Sequence, residues 1–417
     1  MGLLLATGLT LVSASPASPA APAWACAYVA NRLPRALRLL GEDAISDEEA
    51  RAALRRLSLG ETVLTRASAL TLARNLGASR LVMVRCRTEA GLNDLGIEAR
   101  AFDVDSPAAG PAIRTARPSL ELPSAVDEIA QLVAGAQDAG AANALGYPSP
   151  ATLGRIGAAL AGETVTERAR SLTQALREDP ASIELRLMTT EALFAARDFD
   201  AATQAGLGAR VRPADQELGR MLRFLGGAAQ LEGGRYAEAF DTFEALRKER
   251  ETSSVLNNLG VARFRMRYKD ASSLFEKAAA LQDPRPRDIA FNQSLALIFE
   301  GRAEAAVRLL DEALASDPSD TRTRLLKVWS LRVLGRNTER DEEWQRLMAL
   351  APSFSSLALP DLARRLERIF VAERQPQRAT KGGLHSTKSG LLPASGRTQG
   401  KADPDRLDRI DAQAAPP

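Results

Sequence analysis

The stretch Gly234-Arg235-Tyr236-Ala237-Glu238-Ala239, with Phe243 four residues on, decides the fold because it returns further down the chain. It reappears as Tyr268-Lys269-Asp270-Ala271 leading to Phe275 and Ala278, and again as Gly301 to Ala306 leading to Leu310, Ala313 and Pro318. The period of the array is 34 residues, the interval that separates Gly301 from Gly335, Leu310 from Trp344, Pro284 from Pro318, Pro318 from Pro352 and Asn258 from Asn292. A fixed period of this size marks a repeat array, in which each unit buries its apolar face only against the next. Ala at a helix crossing lets two backbones approach, and the Phe or Leu four residues later fills the groove beside the following unit. These residue types therefore serve packing and carry no reaction.

Weaker copies lie upstream, at Arg168 to Pro180 and at Asp198-Phe199-Asp200-Ala201-Ala202, so five to six hairpins are expected. Downstream, Leu362, Leu366, Ile369 and Phe370 recur at helical spacing beside Arg364, Arg365, Glu367 and Arg368, as a terminal helix covering the last apolar face should. With its Gly or small turn, an aromatic two residues on, a small residue at the crossing and a closing Pro, the repeat resembles the tetratricopeptide family. That resemblance implies an α-solenoid, a tetratricopeptide-like superhelix over residues 151–373, that binds a protein or peptide partner.

The chain before the repeats reads differently. Thr65 to Leu76 is a helix closed by Gly77, and Ser46-Asp47-Glu48-Glu49 is a capping box that starts another over Ala50 to Leu57. Arg80 to Cys86 is rich in β-branched residues with apolar side chains on both faces, so it is an interior strand. Strands at Ile97 to Val104 and Ala112 to Arg117 follow, then a helix from Ser124 to Ala134 with Val126, Ile129, Ala130 and Val133 on one face. The result is a small α+β domain over 26–135, and the fold class is mainly α. Its pattern resembles the TolB amino-terminal type of domain from bacterial envelope proteins, through Gly77-Ala78-Ser79-Arg80-Leu81-Val82-Met83-Val84, Ile97-Glu98-Ala99-Arg100-Ala101-Phe102-Asp103-Val104 and Val126-Asp127-Glu128-Ile129-Ala130. The resemblance implies a first strand at Tyr28-Val29-Ala30-Asn31. Residues 136–150, punctuated by Gly and Pro, read as the linker between the domains.

At the other end, Leu3 to Val12 is an uncharged run suited to a signal-peptide core and too short to span a bilayer, and Ala23-Trp24-Ala25 fits small-x-small cleavage. Residues 1–25 are therefore expected to be a signal peptide or apolar leader, and the protein periplasmic or otherwise exported to the cell envelope. A cytoplasmic scaffold, with the leader kept as an apolar helix, is the alternative. The mature chain should have no transmembrane span, although lipid attachment at Cys26 would bring it near a membrane. Residues 374–417 hold few bulky apolar side chains and many Gly, Pro and Ser, which predicts a disordered tail.

The chemistry points to binding. The chain has 55 Lys and Arg against 52 Asp and Glu, so the net charge of +3 leaves no electrostatic footprint for nucleic acid. The single histidine, His385, falls in the tail, and no phosphate-cradling Gly motif stands at a strand-to-helix junction. Asp103 and Asp105 alternate faces at a strand end and suit strand termination better than a metal site. No catalytic residue, metal or cofactor is expected, nor an enzyme. The candidate protein-binding face is Asn258, Arg263, Asn292, Arg322 and Arg324, all on first helices. Two cysteines, Cys26 and Cys86, either form one disulfide in an oxidising compartment or sit as small buried side chains.

Overall fold

The structure is a computed structural model that describes residues 10–16, 23–40, parts of 42–54, 65–88, 94–106, 109–135, 147–160, 164–209, 211, 216–281 and 286–350. The expected capping box at 46–49, the inner part of the linker, the terminal helix, the tail and His385 lie outside these residues. Strands β1 (Thr10–Pro16), β2 (Arg80–Thr88), β3 (Asp94–Asp103) and β4 (Ala109–Pro118) form one sheet in that order. The β1–β2 pair is parallel, while β2–β3 and β3–β4 are antiparallel, with Cys86 opposite Ile97 and Leu81 opposite Phe102.

Alternation along β2 explains why the sheet needs cover on both sides. Val82, Val84 and Cys86 enter one apolar cluster, and Leu81 enters the other. The first cluster is closed by α1 (Ala23–Leu39) and α3 (Leu122–Ala134), and the second by α2 (Arg66–Asn75), whose Ala69, Leu72 and Ala73 are buried. Helix α2 starts at its Thr65 cap, and α3 stops at Gly135, a left-handed residue at φ 67°. Both follow the expected bounds closely.

One sequence expectation fails in this region. Tyr28-Val29-Ala30-Asn31 is helical, in the middle of α1, and forms no strand. Its alternation is compatible with a strand in isolation, but Tyr28, Val29, Leu33, Ala36 and Leu37 recur at helical spacing and are all fully buried. Contacts group the chain into two compact units, the first running through Ile289 and the second beginning at Ala290. Helix α4 (Pro150–Leu160) packs on α1, with the Trp24 ring about 3.0 Å from where a Cβ on Gly157 would lie, so the sheet layer and the first hairpins share one core. Residues of the expected leader are also placed inside: Leu11 is buried on β1, and Ala25 is buried in the first turn of α1.

The remaining helices make six consecutive hairpins among the described residues: α4 with α5 (Val165–Glu178), α6 (Ile183–Ala195) with α7 (Phe199–Leu207), α8 (Gln216–Glu232) with α9 (Tyr236–Glu249), α10 (Ser253–Arg265) with α11 (Ala271–Ala280), α12 (Pro286–Phe299) with α13 (Ala303–Ser316), and α14 (Thr321–Val333) with α15 (Asn337–Leu350). Five of them turn on the same device. Arg197, Gly234, Arg267, Gly301 and Gly335 have φ between 63° and 79°. Each donates its N–H to the carbonyl three residues back, while the next residue reaches five back, as in Gly301 N to Ile298 O and Arg302 N to Leu297 O. Within each hairpin the expected packing holds: Ala239 and Phe243, Ala271 and Phe275, and Ala306 and Leu310 are fully buried. The rings of Phe243 and Phe275 lie over Gly227 and Gly260, at about 3.0 and 2.8 Å from a Cβ built there.

Candidate functional site

The repeats place the expected binding residues unevenly. Asn258 and Asn292 have no exposed surface, because they stand on faces of α10 and α12 that turn into the packing. Their shared 34-residue interval is a packing regularity, so neither belongs to a presented surface. Arg324 is also buried, ion-paired with Glu343 and donating to Pro318 O at 2.7 Å. Lys327 and Arg346 reach the same Glu343 carboxylate. Burial would raise that carboxyl, but Lys327 and Arg324 outweigh burial and hold it below its ordinary value. Arg324 thus ties α14 to α15 and presents nothing.

The other two candidates are half-buried and held. Arg263 donates to both oxygens of Asp270 at 2.9 and 2.6 Å and stacks on Tyr268 and Phe240, 4.6 and 5.7 Å from the ring centres. Arg322 lies 3.8 Å from the centre of the Phe291 ring. Stacking of this kind fixes a planar guanidinium without cancelling its charge. Around Arg263, the last turn of α10 and the loop after it bring Arg265, which is partly exposed, and Arg267 and Lys269, which are exposed. Asp270 and Glu244 are carboxylates within its electrostatic reach.

A second basic group was not singled out from the sequence. Arg220 and Arg223 project from α8 at helical spacing, and Arg250 ends α9. Arg223 grips Glu249 with its Nη2 2.7 Å from the carboxylate, while Arg220 and Arg250 both pair with Glu217. Burial first, then the neighbouring Arg250 and Arg223 charges, push Arg220 below its ordinary value. The Arg220–Arg223 interval was a legible signal of a shared face, whereas Arg250 joins them only through the hairpin.

The most deeply buried charges lie elsewhere, where α1 meets α3 and α6. Arg32 donates to both oxygens of Asp127 at 2.9 and 2.7 Å and to Glu184 at 2.6 Å, and the three side chains are at most 1% exposed. The Tyr28 hydroxyl donates to Glu184 at 3.1 Å. One turn on, Arg35 pairs with Asn31 and Glu191. The exposed ring of Tyr147 closes over Arg32 at 5.8 Å. Burial would lower Arg32, yet Glu184, Tyr28 and Asp127 outweigh it and hold the guanidinium well above its usual value. Burial pushes the Asp127 carboxyl up to about 6 against the pull of Arg32, and pushes Tyr28 well up with help from Glu184. A set in which each buried charge meets an opposite one, closed to solvent, orients helices. Sequence reading missed it because the partners stand 95 and 152 positions from Arg32. The available signal was two arginines and a tyrosine on the apolar face of α1.

Cys26 on α1 and Cys86 on β2 are free thiols buried in the same apolar cluster. Asp103 is exposed and accepts the Asp105 N–H at 2.9 Å, the strand-end role expected of it. Among the described residues no cluster of His, Cys, Asp or Glu has the makings of a metal site, and no helix is long and apolar enough to cross a membrane.

No family model matches the chain, and no curated protein matches it. Among solved structures it is similar to YrrB, described as a TPR protein with an unusual peptide-binding site. That likeness has 17% identity, a TM-score of 0.34, and coverage of 44% of this chain and 94% of the other. At so low a score the assignment of helical hairpins rests on this chain's own turns and packing.

Proposed function

We propose that the protein is a non-catalytic scaffold whose hairpins bind an acidic segment of a partner protein at the basic end of α10. The observation that carries this reading is Arg263, fixed by Asp270 and by the Phe240 and Tyr268 rings and set among Arg265, Arg267 and Lys269. A guanidinium already ordered in the free protein loses less side-chain entropy when a carboxylate docks. Steering by the surrounding cations would make the association fast and salt-sensitive. The test uses the full chain, because a fragment beginning at 150 would leave Glu184 and Glu191 without Arg32 and Arg35. A photo-crosslinker at Lys269 should capture a partner that the same group at Arg114, on β4, does not, and Arg265→Glu with Arg267→Glu should abolish the capture. Capture at Arg114 alone, or capture indifferent to the charge reversals, overturns the proposal.

We also propose export to the cell envelope, motivated by the apolar run from Leu3 to Val12 and the Ala23-Trp24-Ala25 site. Residues 10–16 cannot serve both as a discarded leader and as the β1 edge of the sheet. Terminal sequencing of the protein from fractionated cells separates the cases. A start at Cys26 in the envelope fraction supports cleavage, and an intact Met1 in the cytosol refutes export.

A further inference from the structure

We propose that the open side of the sheet is a docking surface for an anionic lipid bilayer. Register places Arg85 and Arg87 of β2, Glu98 and Arg100 of β3, and Arg114 of β4 on one side, opposite the side that buries Val82, Val84 and Cys86. Helix α2 covers only one end of this side, over Leu81 and Phe102. Beyond it all four arginines are exposed, the Arg100 side chain by 46% and that of Arg114 by 61%. Side chains on one face recur about every 7 Å along a strand, and strands lie about 4.8 Å apart, so the four span roughly 14 × 10 Å. Glu98 is the one carboxylate among the described side chains of that area, and it accepts from Arg114 Nε and Arg100 Nε, each at 3.0 Å. Those bonds hold its carboxyl below the ordinary value, so it stays charged, and four cations against one anion leave the area strongly positive.

Shape and chemistry together choose the partner. Gly96, Ala112 and Ala116 stand on the same side, so beside the arginines the surface is shallow and has no wall to grip a single peptide. Among the described residues of the exposed area there is no aromatic ring on which a nucleic-acid base could stack. What matches a shallow area of repeated positive charge is a second plane on which negative charge repeats, and a bilayer rich in acidic headgroups is such a plane. Each guanidinium presents its fork of donors to headgroup phosphates. With no exposed bulky apolar side chain to insert, the face holds the bilayer by charge, and salt weakens the hold. The arginines stand on β2 to β4, so the surface belongs to the chain with or without residues 1–25, and it is separate from the basic end of α10.

The test takes the purified full chain and vesicles of phosphatidylcholine with or without phosphatidylglycerol, read by co-sedimentation at low ionic strength. The chain should pellet with the acidic vesicles, stay in solution with the neutral ones, and come off the acidic ones at about 0.5 M salt. Arg85→Gln with Arg114→Gln should lower the partition coefficient about 25-fold, roughly five-fold for each arginine lost. Both side chains are exposed, so this variant should melt as the wild type does, and Arg85→Lys with Arg114→Lys, which keeps the charge, should retain binding. Arg170→Gln with Arg177→Gln, exposed on α5, should bind like the wild type. No sedimentation with acidic vesicles, binding that ignores salt or the Gln pair on the sheet, or an equal loss from the α5 pair would each overturn the proposal. So would binding of RNA or polyglutamate that the Gln pair on the sheet abolishes, if acidic vesicles are not bound, since the face would then belong to another polyanion.

Discussion

Replacing Arg32 by Met tests whether the buried ion set, more than apolar contact, joins α1 to α3 and α6. Met matches the length of the arginine stem and keeps most of the packing, but removes the donors to Asp127 at 2.9 and 2.7 Å and to Glu184 at 2.6 Å. Two carboxylates, each about 1% exposed, are then left without their cation. Removing one partner of a buried ion pair costs about 3–5 kcal/mol, because the cost is that of the stranded charge. At ~2–4 °C per kcal/mol for a unit of this size, the melting point should fall by roughly 10 °C. A purely structural loss would stop there, but stranded carboxyls respond to pH. Burial already holds the Asp127 carboxyl above its unfolded value, and losing Arg32 removes the charge that pulls it down, so the native state binds more protons and its stability rises as pH falls towards that value. Urea unfolding followed by circular dichroism at pH 7.5 and 5.5 should therefore show the deficit of Arg32→Met shrinking on acidification. The triple variant with Asp127→Asn and Glu184→Gln should recover much of the loss at pH 7.5. A deficit under about 1 kcal/mol, or one that ignores pH, would refute the reasoning.

The hairpin turns give a second set. Arg197→Gly and Arg267→Gly should each stabilise the chain by about 1 kcal/mol, since an L-residue pays that much for the left-handed conformation, and Gly301→Ala should cost about as much; thermal melts read both signs. Gly260→Ala would set a Cβ 2.8 Å from the Phe275 ring and should cost about 1–3 kcal/mol, whereas Gly154→Ala, with open space around it inside α4, should gain roughly 0.5–1 kcal/mol. In the wild type, burial holds Asp127 at about 6, above its unfolded value, so its share of stability increases as pH drops from about 6 towards 4. Asp127→Asn should flatten that part of the stability profile.

Much of the fold could be read residue by residue. The apolar run of β2, the Thr65 and Gly77 ends of α2 and the Gly135 stop of α3 are local signals, and each fell where its chemistry required. The repeats were legible through Ala239 with Phe243 and Ala271 with Phe275, since a groove and its filler recur with the period. Even so, Arg197 and Arg267 hid two of the five turns, because glycine is the residue that advertises a left-handed position and arginine only tolerates one. The candidate face was read less well. A recurrent Asn looks the same in sequence whether it binds a peptide or packs inside, and only the burial of Asn258 and Asn292 separates the two.

By itself, the sequence determined the period, the helix and strand types, and the small and aromatic residues that let hairpins stack, because these follow from spacing within about 34 residues. Only the tertiary structure decided that α1 is a helix in the middle of a shared core, that Arg32 meets Asp127 and Glu184, and that Cys26 and Cys86 are buried in one cluster. The physical reason is distance along the chain. Local pattern fixes which face of an element is apolar, but which other face covers it depends on contacts between residues 95 to 156 positions apart, and no periodicity encodes those.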